Sequence, residues 1–578
     1  MAFILFDHID FTYPAGGERT SPTLADIHLT IEPGEFVAII GENGSGKSTL
    51  ARHFNGLLLP DSGRVLVNGM DTRQPENLKP IREQIGMVFQ RPQDQVVAST
   101  VAEDVAFGPC NLGLPARVIR ERVDDALHAV GLDGFNDRPA YMLSAGEIQR
   151  LALAGVLAMQ PRCIIFDETT ALLDPLGREM IMRQAIDLHN KGITVILITH
   201  MMEEAACAER LVVLHRGRIA ADSTPREVFS SSRLLQEYGL GIPEAMRAAD
   251  VLRTYFPGLP AGVMHADELL SQLPSYPGSL VGPEPGDDPE SHRQGPISVI
   301  DLSYTYMLDT PLAHRALDHA NLHVSQGSTH GLIGATGSGK STLLQHLNGL
   351  FRPQSGKVEV LGMNLGEAGL DTRFLRRQAA LSFQQPEEQI FEQYVGDEIA
   401  YAARQLGSAT TIRDAVRAAM AAVGLDFDLF KDRLTATLSG GERRKVALAS
   451  ALIVNPKVLL LDEPLAGLDP GSRQELSRHL GTLHKQGVSM VICTHQYEDL
   501  IGILDGTTVM SAGRDRMHGS PGNIFSDTES LAALKLQAPL AARLAAQLRA
   551  NGWPLPHGII TLTQLTNAVS GIQVTGAA

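Results

Sequence analysis

The feature that most constrains this chain is an internal repeat. The segment GENGSGKST beginning at Gly41 returns as GATGSGKST beginning at Gly334, 293 residues later. FQRPQDQ at Phe89 returns as FQQPEEQ at Phe383, LSAGE at Leu143 as LSGGE at Leu438, Asp167-Glu168 as Asp462-Glu463, and His200 as His495. The offset drifts only from 293 to 295 across these landmarks, so one unit is present twice with few insertions. A chain of 578 residues exceeds the roughly 250–300 that one hydrophobic core supports, and the repeat says where it divides. The match runs on through Pro225/Pro521, Phe229/Phe525 and Leu252-Arg253/Leu548-Arg549, which gives each copy a small C-terminal extension. Only residues 274–296 have no counterpart. With six prolines, four glycines and four acidic side chains in 23 positions, they read as a linker. The expected domains are 1–273 (core about 1–240) and 297–578 (core about 297–530), joined by 274–296.

Punctuation supplies the coarse secondary structure. The apolar run 36–40 reads as a buried strand, 41–47 as a glycine-rich turn, and Ser48 onward as a helix. Apolar strands 163–166 and 194–198 lead into Asp167 and into Thr199-His200, while 96–143 and 390–438 carry helical patterning. Strands alternating with helices, with polar residues at strand ends, predict an α/β fold with a mostly parallel sheet. At 44% hydrophobic and 20% charged, the composition is that of a folded globular chain. The net charge of −16 argues against broad binding to nucleic acid, which draws its affinity from basic side chains. No apolar run approaches the 18 or so residues of a spanning helix, and residues 1–6 lack the basic flank of a signal peptide, so a cytoplasmic chain is expected. Cys110, Cys163, Cys207 and Cys493 are scattered without a CxxC, which predicts small buried hydrophobes and no zinc site.

The pattern GxxxxGK[ST] occurs twice, as Gly41, Glu42, Asn43, Gly44, Ser45, Gly46, Lys47, Ser48 and Thr49, and as Gly334, Ala335, Thr336, Gly337, Ser338, Gly339, Lys340, Ser341 and Thr342. Glycines let successive amides turn inward onto phosphate oxygens, and the following helix adds its positive end. Lys47 and Lys340 suit the β- and γ-phosphates of ATP, and Ser48 and Ser341 suit Mg²⁺. Asp167 and Asp462, at the ends of apolar strands, are candidate Mg²⁺ ligands, and Glu168 and Glu463 candidate bases for an attacking water. Gln90 and Gln384 could reach both Mg²⁺ and that water. His200 and His495, each 33 residues past its aspartate, could sense the γ-phosphate.

LSAGE and LSGGE each precede a helix and offer serine and glycine amides to an anion, through Ser144 and Gly146 and through Ser439, Gly440 and Gly441. Together with the phosphate loops and glutamines, they make each half resemble an ATP-binding-cassette ATPase. That resemblance implies two tandem P-loop NTPase domains, each with a helical subdomain and a small C-terminal extension. It also implies head-to-tail pairing, Lys47 working with Ser439 and Lys340 with Ser144, and adenine stacking on Tyr13 and Tyr306. Fusion would make the pairing intramolecular. Two departures stand out: Ala145 replaces the first signature glycine, and Thr169 replaces the proline seen at Pro464. A methyl costs nothing at a helical φ, so both sites are expected to be active. Glu147 and Glu442 stand where glutamine is commoner, a change expected to be neutral.

FQRPQDQ and FQQPEEQ, FNGLLLP and LNGLFRP, and the extensions are similar to the paired ATPases of energy-coupling factor importers. This implies a peripheral protein of the cytoplasmic membrane face, a translocase working with a membrane T component and a substrate-binding S component to take up a vitamin or transition-metal ion. Asp94, Glu103, Asp104, Glu387, Glu388, Asp397 and Glu398 are expected to receive basic helices of that partner. The alternative is a soluble tandem cassette acting on ribosomes or nucleic acid, which the short acidic linker and scattered cysteines disfavour.

Overall fold

The computed structural model describes residues 2–13, 22–171, 173–276, 295–310, 312–405 and 412–576, with backbone alone at 145 and 573–576. Most of the expected linker, 277–294, lies outside the described residues. By packing, the chain forms two units, Met1–Glu244 and Ala245–Ala578.

In the first unit, a six-stranded sheet runs in the order Arg218–Ser223, Arg210–His215, Phe36–Ile40, Thr194–Ile198, Cys163–Asp167, Ile85–Val88. All neighbours are parallel except the outermost pair, Arg218–Ser223 against Arg210–His215. Every residue of Phe36–Ile40, Cys163–Asp167 and Thr194–Ile198 is buried, as expected for parallel strands covered on both faces. A second, antiparallel sheet of Leu24–Ile31, Ile4–Phe11, Ser62–Val67 and Met70–Asp71 was not anticipated from the sequence. Its strands bury alternate residues, such as Ile4, Phe6, Ile9 and Phe11, against the helix Lys47–Phe54. Phe6 meets Phe54 edge to face at 4.7 Å. One core therefore clamps this helix between two sheets, which fixes the loop in front of it. The second unit repeats both sheets with the same strand orders, from Ile297–Tyr306 to Arg514–Gly519.

The expected helical subdomains are present as Val101–Asn111, Ala116–Ala129 and Ala145–Ala158, and as Val395–Gln405, Ile412–Ala422 and Gly440–Leu452. Cys163 and Cys493 are buried, but Cys110 is exposed, against expectation, because it sits on the outer face of Val101–Asn111.

The repeat boundary and the packing boundary differ. The extension of the first copy, with helices Glu244–Leu252 and Ala266–Ser271, is built into the second unit with Leu540–Ala550 and Leu562–Gly576. Ala248, Leu252, Phe256 and Leu269 share one apolar core with Leu544, Leu548, Trp553 and Val569. Phe256 meets the Trp553 ring at 5.0 Å, and Trp553 Nε1 donates to Pro274 O at 2.9 Å. Two helices of nine and six residues cannot bury their apolar faces alone, which is why the extensions merge.

Candidate active site

Parallel register builds the site. Phe36–Ile40 pairs with Thr194–Ile198, which pairs in turn with Cys163–Asp167, Asp167 lying opposite Ile198. The C-terminal ends of these strands therefore bring the 41–46 loop, Asp167-Glu168 and Thr199-His200 to one edge, the usual place for a ligand in such sheets. Gly44 and Gly46 carry left-handed φ of 80° and 103°, and a Cβ at Gly46 would stand 2.9 Å from Thr23 O. Only glycine gives that curl, and within it the Ser45 amide donates to Glu42 O at 3.1 Å, closing a tight turn.

In the first half Lys47 Nζ folds back onto Gly41 O (2.9 Å) and Glu42 O (3.0 Å). Ser48 Oγ donates to Asp167 Oδ1 at 3.0 Å, and Gln90 Nε2 to Glu168 Oε2 at 2.8 Å. Lys47 Nζ lies 3.6 Å from Glu168 Oε1. Five predicted residues thus fall into two contact groups, Ser48 with Asp167 and Gln90 with Glu168 and Lys47, adjacent through the Lys47-Ser48 and Asp167-Glu168 pairs. Burial, reinforced by the charge of Glu168, pushes Asp167 up to about 6, while Ser48, Arg52 and Lys47 pull it back. His200 is buried at the adjacent strand end. Tyr13, partly exposed, reaches Thr49 Oγ1 at 3.4 Å.

The second half repeats the scaffold, with Gly337 and Gly339 at φ 78° and 101°. Lys340 Nζ donates to Gly334 O (2.7 Å) and Ala335 O (3.0 Å), and Tyr306 pairs with Thr342 Oγ1 at 3.1 Å. Thr336, Ser338 and Ser341 occupy the same loop and helix start. Burial pushes Asp462 up to about 6, countered by the Ser341 hydroxyl. The base candidate is held differently here. His495 Nδ1 meets Glu463 Oε1 at 2.6 Å, and Glu463 Oε2 accepts from Thr494 Oγ1 (3.1 Å) and His495 N (3.3 Å). Burial opposes the Glu463 carboxylate, yet the His495 charge and hydrogen bond, with Lys340, hold it below the usual range. Gln384 contributes its backbone carbonyl to the buried Arg444 (3.1 Å), whose other nitrogen bonds Glu463 O. Burial lowers Arg444 to about 10. Its counterpart in the first copy is Gln149, an asymmetry that sequence reading passed over.

These residues fit Mg²⁺ and a polyphosphate. Asp462 Oδ1, His495 Nε2, Ser45 Oγ and Ser338 Oγ are buried polar atoms without a hydrogen-bond partner among the described residues. Buried polar atoms left unsatisfied cost about 1–3 kcal/mol each, a cost that a bound cation and phosphate oxygens would remove. Glu168 and Glu463 have left-handed φ of 49° and 47°, a strain of about 1–3 kcal/mol of the kind that collects at functional sites.

Ser144 and Ser439 cap their helices in full capping boxes. The Ser144 amide donates to Glu147 Oε2 at 2.7 Å and the Glu147 amide to Ser144 Oγ; Ser439 and Glu442 repeat this. Glu147 also pairs with Arg138 at 3.3 Å and Glu442 with Arg433 at 2.8 Å. Glu147 and Glu442 thus hold the signature turns, as the S-x-x-E spacing announces, and since glutamine closes the same box, this geometry is compatible with the neutral replacement expected from sequence. Ala145 is the first residue of its helix, and the matching Gly440 has nothing within 4 Å of an added Cβ. Gly146 and Gly441 follow inside the first turn.

A correction concerns the acidic residues near the glutamines. Asp104 and Glu398 are buried, and each takes two backbone amides of the preceding turn, Val97 and Ala98 (2.7 and 3.0 Å) and Phe391 and Glu392 (3.0 and 2.9 Å). They hold those turns and offer no charge to a partner. Glu103 belongs to a capping box, Glu387 pairs with Arg443 and Asp397 with Arg404. Asp94 and Glu388 remain exposed.

The family model described as ABC transporter matches residues 24–171 and 317–466. A Methanosarcina acetivorans protein, provisionally named an ABC transporter ATP-binding protein, is 33% identical over 97% of this chain and 93% of its own length. The energy-coupling factor transporter ATP-binding protein EcfA1 of Caldanaerobacter subterraneus subsp. tengcongensis is 50% identical over 251 residues, 43% of this chain and 91% of that protein. Among solved structures, cbiO1 of Clostridium perfringens, described as part of the ABC transporter complex cbiONQ, is 37% identical over 41% of this chain and 94% of its own, with a TM-score of 0.37. With two phosphate loops, two Asp-Glu strand ends and two family matches in register, the chain belongs to the ABC transporter family as an ATP-hydrolysing protein with two fused cassettes.

Proposed function

We propose that this chain is the fused ATPase pair of an energy-coupling-factor-type importer, docking on a membrane T component and, through it, on an S component that binds a vitamin or transition-metal ion. The reading is supported above all by the 50% identity to EcfA1, which spans nearly all of that protein. Among the described residues, no helix is long and apolar enough to cross a membrane. Each cassette carries exposed apolar side chains beside its glutamine segment, Val97 and Phe107 in one and Phe391, Tyr394 and Tyr401 in the other, near the exposed Asp94 and Glu388. A basic, partly apolar helix is the complement of such a surface.

In this proposal Lys47 and Lys340 bind the β- and γ-phosphates, Ser48, Asp167 and Gln90 and their counterparts Ser341, Asp462 and Gln384 hold Mg²⁺, and Tyr13 and Tyr306 stack on adenine. Mg²⁺ supplies charge neutralisation on the phosphates. Glu168 and Glu463 take the proton of the attacking water, and His200 and His495 contact the γ-phosphate side. The two functional repeats are 1–273 and 297–578, although the extension of the first packs within the second unit, and the signatures at Ser144 and Ser439 complete the sites as in the family. ATP binding closes the cassettes and hydrolysis reopens them.

The test is affinity purification from detergent-solubilised membranes of the native host. Integral membrane proteins should co-purify with the wild-type chain and be lost in a variant combining Asp94→Lys and Glu388→Lys. Co-sedimentation with ribosomes, and no membrane protein retained, would overturn the reading.

A further inference from the structure

The two halves differ in a buried carboxylate that none of the motifs includes. Glu204 is fully enclosed in the first half, four residues past His200. Its Oε2 accepts from Thr199 Oγ1 at 2.5 Å and from Thr170 Oγ1 at 2.9 Å, while Arg178 Nε stands 4.0 Å from Oε1. Thr170 is two residues past Glu168, and Thr199 immediately precedes His200. One carboxylate therefore ties the turn that follows the base to the strand end that presents the histidine. In the second half the tie is absent: Thr170 is replaced by Leu465, which has no donor, and Glu204 by the exposed Asp499. The threonine in register with Thr199 is Thr494, whose hydroxyl stands 3.1 Å from both Glu463 Oε2 and Gln496 O. The same hydroxyl thus holds a remote carboxylate in one half and has the base itself within reach in the other.

We propose that Glu204 is a positioning residue of the first ATP site, fixing Glu168 and His200 relative to each other, and that the two sites are non-equivalent because the second half lacks it. The proposal deepens the ATPase assignment and rests on Glu168 and Glu463 being the bases. Both hydroxyls donate to Oε2, while Oε1 and Arg178 Nε have no hydrogen-bond partner among the described residues, so the buried carboxylate is anchored to both strand ends through one oxygen and resists displacement of either. The second half relies instead on direct contact between Thr494, His495 and Glu463, so each site sets its base by a different route.

The experiment measures steady-state Mg-ATP hydrolysis by the full chain in two backgrounds. Glu463→Gln leaves only the first site turning over, and Glu168→Gln only the second. In the first background Glu204→Ala should lower kcat by about ten- to hundredfold, as a misplaced catalytic pair does, with KM for ATP unchanged within about twofold. Both threonines donate to the same oxygen, so Glu204→Gln keeps one acceptor for both and should restore kcat to within about threefold of the parent. In the Glu168→Gln background neither substitution should change kcat by more than about twofold. Thr170→Val, which removes one donor at nearly constant volume, provides a milder variant and should lower first-site kcat by a few-fold. Equal losses in both backgrounds, or an unchanged first-site kcat in Glu204→Ala and Thr170→Val, would overturn the proposal. Turnover surviving in the Glu168→Gln/Glu463→Gln double variant would instead overturn the assignment of the bases.

Discussion

His330 provides a sharp test of the physical reasoning. It lies on the central strand Thr329–Ile333 of the second unit, buried, with Nε2 2.9 Å from Thr508 Oγ1 on the neighbouring strand Gly506–Ser511. Burial, aided by the charges of His323 and His518, lowers its pKa to about 4 from an ordinary 6.5. The folded protein therefore keeps it neutral where the unfolded chain takes up a proton, so stability falls as pH drops from about 6.5 to about 4. A shift of about 2.5 units corresponds to about 3 kcal/mol once pH is below 4, of which about 2 kcal/mol is already lost at pH 5. The first copy has Val37 and Val212 at these two positions, so the His330→Val/Thr508→Val variant places a pair the fold already accommodates. Urea unfolding at about pH 7.5 and pH 5 can be followed by the fluorescence of Trp553, the single tryptophan, buried in the same unit. Between those two pH values the wild type should lose about 2 kcal/mol more than the variant. Equal losses in both would refute the claim that this histidine is held neutral by burial.

Three further outcomes are expected. Combining Glu168→Gln with Glu463→Gln should cut ATP turnover by about 10²–10⁴ without loss of ATP binding, measured by phosphate release and by nucleotide titration. Gly440→Ala, which imitates Ala145 where nothing lies within 4 Å, should leave turnover within about twofold. Trp553→Ala should destabilise the shared extension core by about 3–5 kcal/mol, seen as faster proteolysis within 245–273, whose apolar face rests on that ring.

Much of this protein was legible in the chain. Phosphate loops, Asp-Glu pairs and histidines sit at strand ends, where local sequence dictates conformation: glycines at 44 and 46 permit the left-handed turn, and five-residue apolar runs make buried parallel strands. The antiparallel sheet was less visible, because its strands alternate and its bulges, such as the break between Phe6 and Ile9, interrupt the period of two. The acidic residues after the glutamines were misread for a different reason. A carboxylate that serves a partner and one that holds its own turn look alike in sequence, and only the amides of Val97 and Ala98 against Asp104 separate them.

The sequence by itself determined the duplication, the two glycine-rich turns, and the candidate residues proposed to hold Mg²⁺ and activate water, since these depend on short spacings within one strand-turn-helix unit. Tertiary structure alone decided that the first extension folds into the second unit and that Thr199 serves Glu204 while Thr494 has Glu463 within reach. Those outcomes turn on which donors and apolar faces meet across long separations in the chain, and a hydroxyl with two acceptors in reach is assigned by packing, not by its neighbours in sequence.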